Sequence, residues 1–178
     1  RYASRGLGDV YKRQVLILMG VSGCGKSFIG QKLAKQLNFS FADGDDFHSN
    51  QNKDKMHRGL PLKDADRLTW LHELQAFLGG SDRSTILACS ALKRSYRDIL
   101  HAHSHQTIFI HLTGSHDLLQ ERLEGRRGHF FHPALLEDQL ATLESLQTDE
   151  KGFSVKIEQS WQKIIAEIET RLKDIAFS

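Results

Sequence analysis

The chain has 178 residues, with 39% hydrophobic and 26% charged side chains and only two prolines. This length suits one domain with a sizeable core, and the composition excludes collagen-like and disordered chains. A net charge of +2 is too small to imply nucleic acid as a partner, and no apolar run approaches the roughly 20 residues needed to cross a bilayer.

Residues 1–14, RYASRGLGDVYKRQ, are basic, lack a starting Met and lack the apolar centre of a secretory signal. They read as a leader outside the fold, which leaves residues 15–178 as one domain. Val15–Met19 is an apolar strand. It runs into Gly20, Val21, Ser22, Gly23, Cys24, Gly25, Lys26 and Ser27, which fit the spacing G-x-x-x-x-G-K-[ST]. Such a loop turns successive backbone N–H groups toward a phosphate, places a lysine on the β- and γ-phosphates and offers a hydroxyl to Mg²⁺. The helix expected over Lys26–Leu37 aims its positive end at the same anion. Asn38 reads as its stop.

Phe39–Ala42 is a short second strand leading into Asp43, Gly44, Asp45 and Asp46. The polar stretch Ser49–Leu62 reads as irregular, with short helical turns. A helix is expected over Asp64–Leu78, ended by Gly79 and Gly80, with Asp64 as its cap and an Asp64–Arg67 pair three residues apart. Then come a strand at Thr85–Cys89, a helix at Lys93–His101, a strand at Thr107–Leu112 and a helix from Ser115. A segment carrying Arg122, Arg126, Arg127 and His129 follows. Pro133 opens a helix to about Leu146, and Phe153–Ile157 and Trp161–Ile175 close the chain as strand and helix. Strands alternating with helices define an α/β domain, a parallel sheet covered on both faces, whose ligands collect at the carboxyl ends of the strands.

Phosphoryl transfer needs an acid to hold the metal. The third and fourth strands end in Ala-Cys-Ser and His-Leu-Thr, without one. Asp43 is therefore expected to serve Mg²⁺ with Ser27. Asp45, two residues on in extended chain, is expected to accept the proton of an acceptor hydroxyl. Arg67 is a candidate for an anionic group of that acceptor, with His48 and Lys93 beside it; Arg94 and Arg97 are weaker candidates. Arg122 suits stacking on adenine, and Arg126 and Arg127 suit a lid at about residues 122–133 that clamps phosphates; His129, in that lid, is a candidate for contact with the acceptor. His101, His103 and His105 lack the cysteine or acid that would complete a metal set. Two cysteines, Cys24 and Cys89, make no disulfide framework and fit reduced thiols of a cytoplasmic protein. Cys24 is the one that oxidation of the loop would involve.

The blocks Gly20–Ser27, Asp43-Gly-Asp-Asp-Phe-His48, Lys55-Met56, Gly59-Leu-Pro-Leu62, Asp64-x-Asp66-Arg67-x-x-Trp70-Leu71, Cys89-Ser-Ala-Leu-Lys93-Arg94-x-Tyr96-Arg97 and Arg127-Gly-His129-Phe130 follow one another. Together they resemble the gluconokinase family of small P-loop sugar-acid kinases, from about Val15 to the C-terminus. The resemblance implies a three-layer P-loop kinase fold with five parallel strands in the order 2-3-1-4-5 and a short lid. It implies ATP-dependent phosphorylation of D-gluconate to 6-phospho-D-gluconate, which feeds the pentose phosphate pathway, with Mg²⁺ and a homodimer. Cys24 stands where the family pattern leads one to expect Ser, and Phe131-His132 departs from it after His129. A shikimate or nucleoside-monophosphate kinase is the alternative enzyme, and a nucleotide-dependent switch without turnover the alternative class.

Overall fold

The computed structural model describes residues 13–101, 106–126 and 133–177. In chain order they form β1 (Val15–Met19), α1 (Lys26–Leu37), β2 (Ser40–Asp43), a 3-10 turn (Gly44–Phe47), α2 (Asn50–His57), α3 (Asp64–Gly80), β3 (Thr85–Ala88) and α4 (Arg94–His101). There follow β4 (Thr107–Thr113), α5 (His116–Glu124), α6 (Pro133–Thr142), β5 (Gly152–Lys156) and α7 (Trp161–Phe177). The five strands pair in parallel in the order β2-β3-β1-β4-β5. This is the expected fold: a three-layer α/β domain of the P-loop kinase type.

The central strand explains the layering. All five residues of β1 are buried, because both faces of a covered parallel sheet are interior. Its side chains alternate between two cores. Leu16 and Leu18 face the layer of α1 and α7, with Ile29, Leu33, Ile164 and Ile168. Val15, Ile17 and Met19 face α3 and α4, with Trp70, Leu71, Leu74 and Leu100. Each fully enclosed Leu or Ile contributes about 1.5–3 kcal/mol, so neither face of the sheet is dispensable. Helix α1 lies close enough to the sheet that a Cβ on Gly30 would stand 2.6 Å from the Phe41 ring. It stops at Asn38, in the left-handed conformation with φ 56°.

Several boundaries shift by a residue or two; in three places a distant group supplies what the local sequence lacks. Ser49–Leu62 contains a true helix, α2, although it has almost no apolar side. Ser49 caps it by accepting from Asn52 N, while Asn52 Nδ2 donates to the Asp66 carbonyl at 2.9 Å and Lys55 pairs with the Asp66 carboxylate at 2.7 Å. Helix α3 continues through Gly79 and Gly80, and the Arg13 guanidinium donates to the Gly79 and Ser81 carbonyls at its end. Helix α6 ends at Thr142, short of Leu146, because Glu144 N turns to the Leu92 carbonyl at 2.8 Å and Arg97 takes the carbonyls of Glu144 and Ser145.

Candidate active site

The functional side chains gather at the carboxyl ends of β1, β2 and β3, around one cleft of about 520 Å³. Its donor side is the loop Gly20–Ser27. Gly20, Gly23 and Gly25 have φ of 137°, 87° and 93°, values that side chains disfavour. Among the described residues, the amides of Gly23, Gly25, Lys26 and Ser27 meet no protein acceptor, while Gly20 N is tied to the Ser90 carbonyl at 3.2 Å. A row of unpaired N–H groups at a helix start is an anion nest. Val21 and Cys24 belong to the core beneath the loop, so they join it through their backbone. The Cys24 side chain is 1% exposed, which places its thiol away from the oxidants its position in the loop had suggested. Lys26 Nζ donates to the Val21 carbonyl at 3.1 Å and lies 3.9 Å from Cys24 Sγ.

Ser27 Oγ donates to the Asp43 carboxylate. Two hard oxygens therefore meet beside the nest, the donor type that suits Mg²⁺. Among the described residues no group of three or more His, Cys, Asp and Glu is arranged for a metal, so any such ion would take its remaining oxygens from phosphate and water. Asp45 reaches the cleft by a route different from the one expected. The backbone leaves the extended form after Asp43, whose carboxylate caps the 3-10 turn by accepting from Asp45 N at 3.0 Å. Asp45 then lies at the wall of the cleft, open to it but crowded by protein. That crowding raises its pKa; Lys26 opposes the rise, and Asp43 and Asp46 add to it.

Trp70 holds this turn in place, its indole N–H donating to the Gly44 carbonyl at 2.7 Å. His48 stacks on Trp70 with ring centres 4.1 Å apart and planes 16° from parallel. Burial, then Arg67 and Lys53, push the His48 pKa down to about 4, so the ring is neutral at pH 7. Arg67 is 9% exposed and lines the same cleft. Its Nη1 donates to the Leu62 carbonyl at 2.6 Å and lies 3.4 Å from the Tyr96 hydroxyl.

Of the other basic candidates, Lys93, Arg94 and Arg97 lie elsewhere. Lys93 pairs with Asp64 at 2.9 Å and does not line the cleft. Asp64 is the first residue of α3 and caps nothing, since the Lys63 N–H is held by Asp66; its carboxylate instead accepts from Tyr96 and Lys93, which hold it below the usual range. Arg94 forms ion pairs with Asp98 and Asp149 at the surface. Arg97 is buried, clamped to Glu150 at 2.6 Å and to the carbonyls of Ala91 and Leu92. The Ala91 carbonyl it holds belongs to a residue at φ 45°, next to Ser90, which lines the cleft. Arg122 bonds the Ile157 carbonyl at 3.3 Å, its guanidinium near Gly25. Arg126 lines the cleft; Arg127, His129, Phe131 and His132 lie outside the described residues, as do His103 and His105.

The sequence reading missed Trp70 as a support, Tyr96 as a partner of Arg67, and Gln139 of α6, whose Oε1 accepts from Ser22 N at 2.6 Å. A tryptophan beside an apolar helix face carries no sign that its N–H is needed elsewhere, and Gln139 sits in no recognisable motif.

A parallel sheet of this order, with a phosphate nest after β1, an acid and hydroxyl pair beside it and an acid-lined cleft opposite, defines a P-loop kinase of small molecules. Residues 22–172 match the family model for shikimate kinase. The chain is 45% identical over 140 residues to the thermosensitive gluconokinase of Escherichia coli K12, covering 77% of this chain and 75% of that protein. It is 39% identical over 160 residues to the gluconokinase of Gluconobacter oxydans, covering 88% and 90%. The crystal structure of a gluconokinase from Sinorhizobium meliloti 1021 superposes with a TM-score of 0.83 at 36% identity, covering 93% of this chain and 98% of that one. The chain belongs to the gluconokinase family.

Proposed function

We propose that the protein phosphorylates D-gluconate at its terminal hydroxyl, using ATP and Mg²⁺ and releasing 6-phospho-D-gluconate and ADP. The observation that carries this reading is the common cleft, which Lys26 enters from the donor side and Asp45, His48 and Arg67 from the acceptor side. The loop amides of Gly23, Gly25, Lys26 and Ser27 and the Lys26 ammonium hold the β- and γ-phosphates. Ser27 and Asp43 would hold Mg²⁺, which neutralises phosphate charge when bound. Asp45 accepts the hydroxyl proton as the substrate oxygen attacks the γ-phosphorus and the bond to the ADP oxygen breaks. Arg67 pairs with the gluconate carboxylate, and neutral His48 offers a hydrogen bond without adding charge.

Arg122 lies against adenine, Arg126 and Arg127 close over the phosphates as a lid at about residues 122–133, and His129 in that lid contacts gluconate. The domain spans residues 15–178. A homodimer in the cytoplasm and a place in gluconate entry to the pentose phosphate pathway complete the reading. No helix of the described residues is long and apolar enough to cross a membrane. The test is ADP release measured with gluconate, related aldonates, shikimate and AMP. Turnover with gluconate above the other acceptors is expected, whereas transfer to shikimate or AMP alone overturns the assignment.

A further inference from the structure

The loop amides are unequal. Four of them, at Gly23, Gly25, Lys26 and Ser27, meet no acceptor among the described residues, but Ser22 N donates to Gln139 Oε1 at 2.6 Å. Gln139 lies 117 residues away, on α6, in the cleft wall formed by Ser22, Lys26, Asp45, Arg126 and Asp138. Because Ser22 N is a donor, the oxygen of the amide must face it, which settles the orientation of the group. The Nε2 then lies on the other limb of the same planar amide. It has no acceptor among the described residues, and Gln139 is only half-buried. Helix α6 is held firmly enough to aim it: Leu136 is packed in the core, and the chain after the helix is tied down by Arg97.

We propose that Gln139 is a catalytic residue whose Nε2 donates to an oxygen of the phosphoryl group as it passes from ATP to the acceptor, with Ser22 N–H as the group that aims it. This rests on the kinase reading of the cleft. Atoms balance as in that reading: the new bond joins the acceptor oxygen to phosphorus, the bond to the ADP oxygen breaks, and the proton goes to Asp45. Gln139 supplies only a hydrogen bond. The loop and the acceptor wall thus meet in one side chain, and its donor is matched to charge on the moving group.

Gln139→Glu separates this role from simple fastening of the loop. The carboxylate still accepts from Ser22 N but has lost the donor, whereas Gln139→Met loses both. Steady-state kinetics with ATP and gluconate and the thermal midpoint are measured for each. In both variants kcat is expected to fall at least tenfold, with the midpoint of Gln139→Glu close to that of the parent. A Gln139→Glu enzyme within twofold of the parent, beside an impaired Gln139→Met, shows an amide that only fastens the loop and overturns the proposal. So does a Gln139→Met enzyme within twofold. If the parent itself transfers nothing to gluconate, the substrate reading fails first; the same comparison is then made on ATP hydrolysis, where the same loss in both variants is expected and parental rates overturn the role.

Discussion

The two walls of the cleft are built differently. The donor wall is one contiguous stretch, Gly20–Ser27, and it works mainly through its backbone: positive φ at three glycines opens a row of amides, while the Val21 and Cys24 side chains turn into the core. The acceptor wall is assembled from side chains on the 3-10 turn, α2, α3 and α6, and each working group leans on another. Trp70 holds the Gly44 carbonyl and stacks on His48. Tyr96 meets both Arg67 and Asp64. A backbone site survives changes of side chain except at its one charged member; a side-chain site fails wherever a partner is removed.

The largest effect is expected at that charged member. Lys26→Ala removes the only side-chain cation of the loop and should lower kcat by about 10³-fold, the scale of losing an electrostatic donor to the transition state. Its thermal midpoint should scarcely move, because the Lys26 ammonium makes only a hydrogen bond to the loop's own Val21 carbonyl and a long contact to Cys24. Retained turnover contradicts the phosphate role.

Asp45→Asn comes next, at about 10²-fold in kcat, the lower end for loss of a general base. The KM for gluconate should change little. Were KM alone to rise, Asp45 would be a binding group and the base would have to be sought elsewhere on the acceptor wall.

Arg67→Ala should raise the gluconate KM about tenfold or more, from loss of a charge-assisted hydrogen bond of about 1.5–3 kcal/mol, and leave the ATP KM unchanged. Equal rises in both constants would erase the division between the walls. Tyr96→Phe should do the same more weakly, since it removes a partner of Arg67 and leaves the guanidinium in place.

What the sequence made legible follows the same division. The loop, its strand and its helix are local features, so spacing and apolar runs found them, and Asn38 marked the helix end. The absence of an acid at the ends of β3 and β4 pointed to Asp43, which the structure places on Ser27. Arg97 shows where such reading stops. It sits in a run of cations that looks like a ligand site or a solvated helix face, but it is 1% exposed and satisfied by groups as far off as Glu150. Lys93 and Asp64 neutralise one another across α3 and α4 for the same reason: the partner that decides a charge's role lies 29 residues away. Helix α2 has no apolar period to detect, because its support comes from caps and from Asp66.

Acid titration probes the acceptor wall through His48 and the sheet through His111. Burial is the main cause in each, followed by Arg67 and Lys53 for His48 and by Arg97 and Lys26 for His111; both pKa values are pushed down to about 4, below the ordinary 6.5. Between those values the unfolded chain binds more protons than the folded one. The stability they contribute is therefore complete above pH 6.5 and is lost as pH falls through about 4. The thermal midpoint should decline across that window. His48→Gln should flatten part of the decline, and an unchanged slope would show that His48 is not held neutral in the fold.

The smallest effect is expected for Cys24→Ser, and it tests the backbone character of the donor wall most directly. The thiol lies in the middle of the glycine-rich loop, yet a Cβ built on Gly20 would stand 2.9 Å from Cys24 Sγ, deep in a core of Leu16, Leu112 and Leu119. Replacing it with a hydroxyl leaves every amide of the nest where it was, so kcat and the ATP KM should stay within about twofold. Stability should fall by about 1–3 kcal/mol if the buried hydroxyl finds no partner, or hold if it takes the place of Sγ beside Lys26 Nζ. The same burial should protect Cys24 from a bulky thiol reagent until the protein opens. Rapid labelling of the folded enzyme with loss of turnover, or a tenfold rise in the ATP KM of Cys24→Ser, would mean that the side chain at this position faces the phosphates and that the donor wall is, like its counterpart, a side-chain site.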